Sequence, residues 1–162
     1  MMQTLRPPRH RIERRAVWWW VLRALLTYGA LVVVLAVTAV LWDAARMWLL
    51  PPLGVAAIAL VLQAAVAPGW RYAVHRWEST DDAVYALTGW YVREWRVAPL
   101  SRVQTVDAVR GPLEQLMGLA TLKVTTASSS GAVAIVGLDH ELAAELAERL
   151  TAVTEQIPGD AT

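Results

Sequence analysis

The side chains that could do chemistry are few and scattered. Asp139 and His140 are adjacent and follow Ser128–Ser130, so the residue types of a hydrolytic triad are present. A nucleophile also needs a base within hydrogen-bond reach and a strained turn to present it, and no Gly-x-Ser-x-Gly occurs. A polar loop followed by a helix cap accounts for the same residues more simply. His10, His75 and His140 lack metal-ligand spacing, and no Gly-rich phosphate loop is present. The absence of Cys excludes disulfides, thiolate metal sites and Cys nucleophiles. The expectation is a protein without catalytic activity, metal, cofactor or small-molecule substrate.

Arginine is the charged residue that comes in groups. Arg6, Arg9, Arg11, Arg14, Arg15 and Arg23 precede a long apolar run. Such a group can meet phosphate on nucleic acid or lipid, but its place before an apolar run reads as a topology signal, and no nucleic-acid partner is expected. Arg93, Arg96, Arg102 and Gln104 are the candidate ligand or partner contacts. Alternation along a strand from Ser101 to Arg110 places Arg102 and Gln104 on one face. Arg102 has a second reading, that of holding a loop through carbonyl hydrogen bonds. Residues 77–162 carry five Arg and Lys123 against twelve acids, net −6, and that mean field opposes binding to an anionic surface. Screening over about 8–10 Å leaves room for a local arginine cluster to act alone.

The elements that must position these residues fall in two halves. Residues 1–76 hold nine Arg against Glu13 and Asp43, net +7, and contain two uncharged runs, Ala24–Trp42 and Met47–Ala67, of 19 and 21 residues. Each is long enough to cross a bilayer, and Asp43-Ala-Ala-Arg46 suffices to reverse direction between them. Trp18, Trp19, Trp20, Trp42, Trp48 and Trp70 flank the runs and serve as membrane-interface anchors. Trp20 to Trp42 and Trp48 to Trp70 each span about 33 Å of helix. The first run is too long for the apolar region of a signal peptide, and a second follows it. Pro51-Pro52 leaves two readings: a helix starting near Pro51 with Trp48–Leu50 at the interface, or a longer helix kinked there. Basic flanks place both termini in the cytoplasm of a cell (inner) membrane crossed twice. With no ionisable group in mid-span, the helices read as an anchor rather than a pore.

From about residue 71 the pattern changes to short segments rich in Val, Thr, Tyr and Trp. Strands are expected at Ala83–Leu87, Trp90–Val97, Ser101–Arg110, Leu119–Thr126 and Ala132–Val136, with a hairpin turn at Thr88-Gly89 and one helical turn over Leu113–Met117. Leu138, Leu142, Leu146, Leu150 and Val153 then recur at helical spacing. Asp139 is the expected N-cap, Pro158-Gly159 the stop, and 158–162 a disordered tail.

Tyr85-Ala-Leu-Thr-Gly89, Pro99-Leu-Ser-Arg-Val-Gln-Thr-Val106, Gly111-Pro-Leu113 and Gly118-Leu-Ala-Thr-Leu122 together resemble the bacterial PH-like domain of the YdbS type. The resemblance covers about residues 70–155. It implies an α+β chain: a basic segment (1–23), a two-helix transmembrane hairpin (24–70), and a PH-like domain (71–157), a seven-stranded, partly open β-barrel capped by a C-terminal helix. Ser128-Ser-Ser-Gly131 departs from the family's usual Thr-Ala-Gly. The resemblance implies membrane association without assigned catalysis. Beyond the bilayer itself, the expected partner is a second copy or a paired PH-like membrane protein. Anionic headgroup binding, and a subunit role in a transporter or envelope-stress system, are the alternatives.

Overall fold

The computed structural model describes residues 7–90, 92–127 and 131–156. Ser128–Ser130 and the expected tail at 158–162 lie outside them. Both uncharged runs are helical, the conformation in which a backbone in apolar surroundings satisfies its own hydrogen bonds. Helices α1 (Arg15–Leu41) and α2 (Asp43–Val74) have 27 and 32 residues, about 40 and 48 Å at 1.5 Å per residue. The chain divides into two units, one formed by residues 17–70 and the other by residues up to 16 together with 71 onward.

In the first unit α1 and α2 are neighbours, with Ala39 and Ala56 buried, small residues that let two helices approach closely. Only 11% and 6% of their most apolar windows are buried, so these are not core helices of a soluble fold. Val33, Val34, Val37, Val55, Ile58 and Val61 face outward. Arg46 holds the turn: its Nε donates to the Ala39 carbonyl at 3.2 Å and its guanidinium pairs with Asp43. That satisfies an orphan carbonyl and sets positive charge at a helix C-terminus. Pro51 and Pro52 lie inside α2, so the helix that runs through them is the one formed.

The second unit holds two antiparallel sheets. The first has the order β1 (His10–Arg11), β2 (Arg76–Ser79), β3 (Ala83–Gly89), β4 (Arg93–Pro99). The second has the order β5 (Val103–Val109), β6 (Leu119–Thr126), β7 (Val133–Asp139). The sheets are not closed into one barrel. Helix α3 (Pro112–Leu116) joins β5 to β6, and α4 (His140–Gln156) packs on the second sheet. Trp77, Val84, Ala86 and Ala98 line the inner face of the first sheet, and the core continues through Leu122, Val124, Ile135 and Leu138 to Ala143, Leu146 and Leu150 of α4.

The residues before α1 are part of this unit. His10 and Arg11 pair with Trp77 and Arg76, and Glu13 N–H donates to the Gly137 carbonyl at 2.9 Å. Gly137 has φ +78°, and a Cβ there would come within 2.8 Å of the Ala16 Cβ. Gly131 has φ +75° with open space around it. Gly137→Ala therefore combines backbone strain with a collision and should lower stability by about 2–3 kcal/mol, against about 1 for Gly131→Ala. Thermal unfolding of the two purified variants compares them; equal losses would show that the Ala16 contact carries no weight.

Candidate functional site

The sequence-selected arginines do not form one cluster. Arg93 and Arg96 are three apart on β4 and so point to opposite faces. Arg96 is engaged, donating to the Ala132 carbonyl at 2.8 Å and to Glu94 Oε1 at 2.8 Å. Arg102 is exposed but sits in a 3-10 turn, Leu100–Arg102, and the β5–β6 register shifts between Val103 and Thr105. The alternation expected to carry Arg102 and exposed Gln104 on one face is therefore interrupted. Loop-holding hydrogen bonds come instead from Arg96, from Arg110 to the Leu119 carbonyl, and from Arg15 to the Met117 carbonyl. Of the six flanking tryptophans, Trp18, Trp42, Trp48 and Trp70 are exposed, whereas Trp19 and Trp20 are buried.

Asp139 is a structural clasp. One carboxylate oxygen accepts the Glu141 N–H at 3.0 Å and so caps α4, and the other pairs with Arg15. The Arg15 guanidinium holds the Asp139 carboxyl below the usual carboxylate range against the opposing effect of burial, with the cap adding to the lowering. His140 Nδ1 lies 3.9 Å from Asp139, too far for the orienting bond of a triad. His75, at the end of α2, has its basicity lowered by burial although Nδ1 lies 2.7 Å from the Arg71 carbonyl. His10 lies against Trp77, ring centroids 5.1 Å apart. Glu114 is buried, accepting from Gly111 N–H and Thr121 Oγ1, both at 2.7 Å.

Among the described residues, two surfaces can engage something else. Strand β5 is hydrogen-bonded on one side only among the described residues, and five of its seven residues are exposed, Gln104, Thr105, Asp107, Ala108 and Val109. The second is a cavity of about 370 Å³ on the outer face of the first sheet. Leu87 and Trp95 form its floor, Ala73, Val74 and Pro7 its walls, and Arg76 and Arg93 its polar part. Sequence reading missed this cavity because β1 and β2, of two and four residues, are too short to show alternation. Without β2 nothing sets Arg76 beside Leu87.

A sheet domain closed by a C-terminal helix and preceded by two long apolar helices is matched by a family model, bacterial PH domain, over residues 21–154. The chain belongs to that family. It is 34% identical over 64 residues to the UPF0699 transmembrane protein YdbS of Bacillus subtilis (strain 168), a match covering 40% of each chain. No solved structure matches.

The Asp139 clasp sets a pH dependence. A carboxyl whose folded pKa is depressed contributes stability above its unfolded value, and that contribution is lost as pH falls through the folded one. Wild type should therefore lose stability more steeply than Asp139→Asn as pH is lowered below about 4, read by thermal unfolding across pH. Parallel curves would mean that the ion pair adds nothing.

Proposed function

We propose that this chain is a membrane-anchored assembly module. The hairpin α1–α2 holds it in the bacterial cell membrane, both termini and the PH-like domain lie on the cytoplasmic side, and copies join through β5. The arginine-rich flanks, set against a turn bearing only Asp43 and Arg46, support the orientation. The description of the relative as a transmembrane protein supports the anchor.

The observation that carries the reading is the open edge of β5. An edge strand offers a row of unpaired backbone groups that another strand can complete. The sequence Val103-Gln-Thr-Val-Asp-Ala-Val109 suits a second copy of itself. In an antiparallel pairing centred on Val106, Val103 meets Val109, Gln104 meets Ala108 and Thr105 meets Asp107. No like charges oppose, and a hydroxyl faces a carboxylate. Shared anchoring in one membrane raises the effective concentration of such edges.

The chain has no Cys, so single cysteines placed along β5 report the pairing cleanly. Val106→Cys in native membranes should give a disulfide-linked dimer, falling away at Gln104→Cys and Ala108→Cys, whose partners across the axis differ. Thr105→Lys with Asp107→Lys should convert the detergent-purified protein to a monomer by light scattering. Flat cross-linking along the strand, or a monomer in the wild type, would overturn the reading. Adducts with a different membrane protein would replace the second copy by a paired family member.

A further inference from the structure

The cross-strand register of the first sheet sets one row of residues side by side: Arg11, Arg76, Leu87, Trp95. Directly opposed residues share a face, so two arginines of like charge are paired across the strands there, an arrangement that destabilises a sheet by repulsion. Neither is neutralised, for Arg11 and Arg76 make no ion pair among the described residues. By contrast Arg9, Arg15, Arg46, Arg96 and Arg149 each pair with a carboxylate. Glu78, the acid on the same face of β2, is bound by Arg9 at 3.5 Å. Arg93, two residues before Trp95 on the same face, brings a third guanidinium, also without an ion pair among the described residues. Arg76 and Arg93 both line the cavity whose floor is Leu87 and Trp95.

We infer that this cavity binds a phosphate-bearing amphiphile. The guanidinium groups of Arg76 and Arg93, with Arg11 beside them, meet the phosphate, for which their planar forked donors are suited. The apolar part lies on Leu87 and Trp95. An inorganic anion alone has no use for that floor, and a neutral ligand leaves the Arg11–Arg76 repulsion in place. The volume lies within the range of small-molecule sites, roughly 300–1,000 Å³. The ligand chemistry is a phosphodiester or phosphomonoester joined to an apolar chain, and the site is formed on different strands from β5.

The test uses the full chain in a neutral detergent with three probes: dihexanoyl phosphatidylglycerol, dihexanoyl phosphatidylcholine and inorganic phosphate, each titrated by calorimetry. The anionic lipid should bind at least tenfold more tightly than either of the others. Arg76→Gln with Arg93→Gln should weaken it at least tenfold, and Trp95→Ala should weaken the lipid while leaving phosphate unchanged. Arg149→Gln, which removes a positive charge from α4 away from the cavity, should leave all three as they are. Because it relieves the repulsion with Arg11, Arg76→Gln without ligand should unfold at a temperature no lower than wild type at low salt, which separates loss of binding from loss of fold. Phosphate binding as tightly as the lipid would assign the site to a free phosphate and overturn the amphiphile. Lipid binding indifferent to Arg76 and Arg93 would overturn the site.

Discussion

The pairing of His10–Arg11 with Trp77–Arg76 is the contact on which the rest of the domain depends. It joins two short segments separated by the whole helical hairpin, and the closure entropy of so long a loop must be met by what the segments bind. A two-residue strand cannot supply that alone. Neighbouring contacts supply the remainder, Arg9 with Glu78, Glu13 N–H with Gly137, Ile12 and Ala16 buried, and Arg15 with Asp139. The arginine-rich start of the chain thus has a structural role as well as a topological one. Its side chains neutralise carboxylates of β2 and β7, and its backbone extends the first sheet.

That closure creates the feature that most needs an explanation in terms of function. Setting Arg11 opposite Arg76 is unfavourable within the sheet itself, yet Arg76 lies beside a cavity floored by Leu87 and Trp95. A fold that only had to be stable would place a carboxylate across from one of them, as it does at Glu78 and Asp139. Net charge concealed this. Residues 77–162 are acidic overall, but the cationic face draws on Arg11 and Arg76 from the other half of the sequence. Charge counted by segment and charge counted by surface differ once β1 joins β2.

The elements with long, regular patterns were legible from sequence alone. The two uncharged runs are helical, the strands from Ala83 onward form within a few residues of their expected bounds, and the leucine stripe from Leu142 to Leu150 lies on α4, which Asp139 caps, while Leu138 belongs to β7. Elements defined by pairing were not legible. Strands β1 and β2 carry no alternation of useful length, and their strand character comes from pairing, β1 on β2 and β2 on β3. The alternation read through Ser101–Arg110 holds only within β5, because a 3-10 turn takes up Arg102 and the register shifts at Gln104. Periodicity also could not say whether α2 starts at Pro51 or continues through it. Arg46 settles that by holding the turn at Asp43, ahead of both prolines.

The segment before the first helix is a strand of the PH-like domain, with Arg11 directly across from Arg76. The most direct measurement is disulfide formation in the otherwise cysteine-free full chain carrying Arg11→Cys and Arg76→Cys, followed in membranes under mild oxidation. The pairing predicts a near-complete intramolecular bond, with little when the first cysteine is moved to position 9 or 13. Absence of the bond at position 11, or equal yields at all three positions, would contradict it.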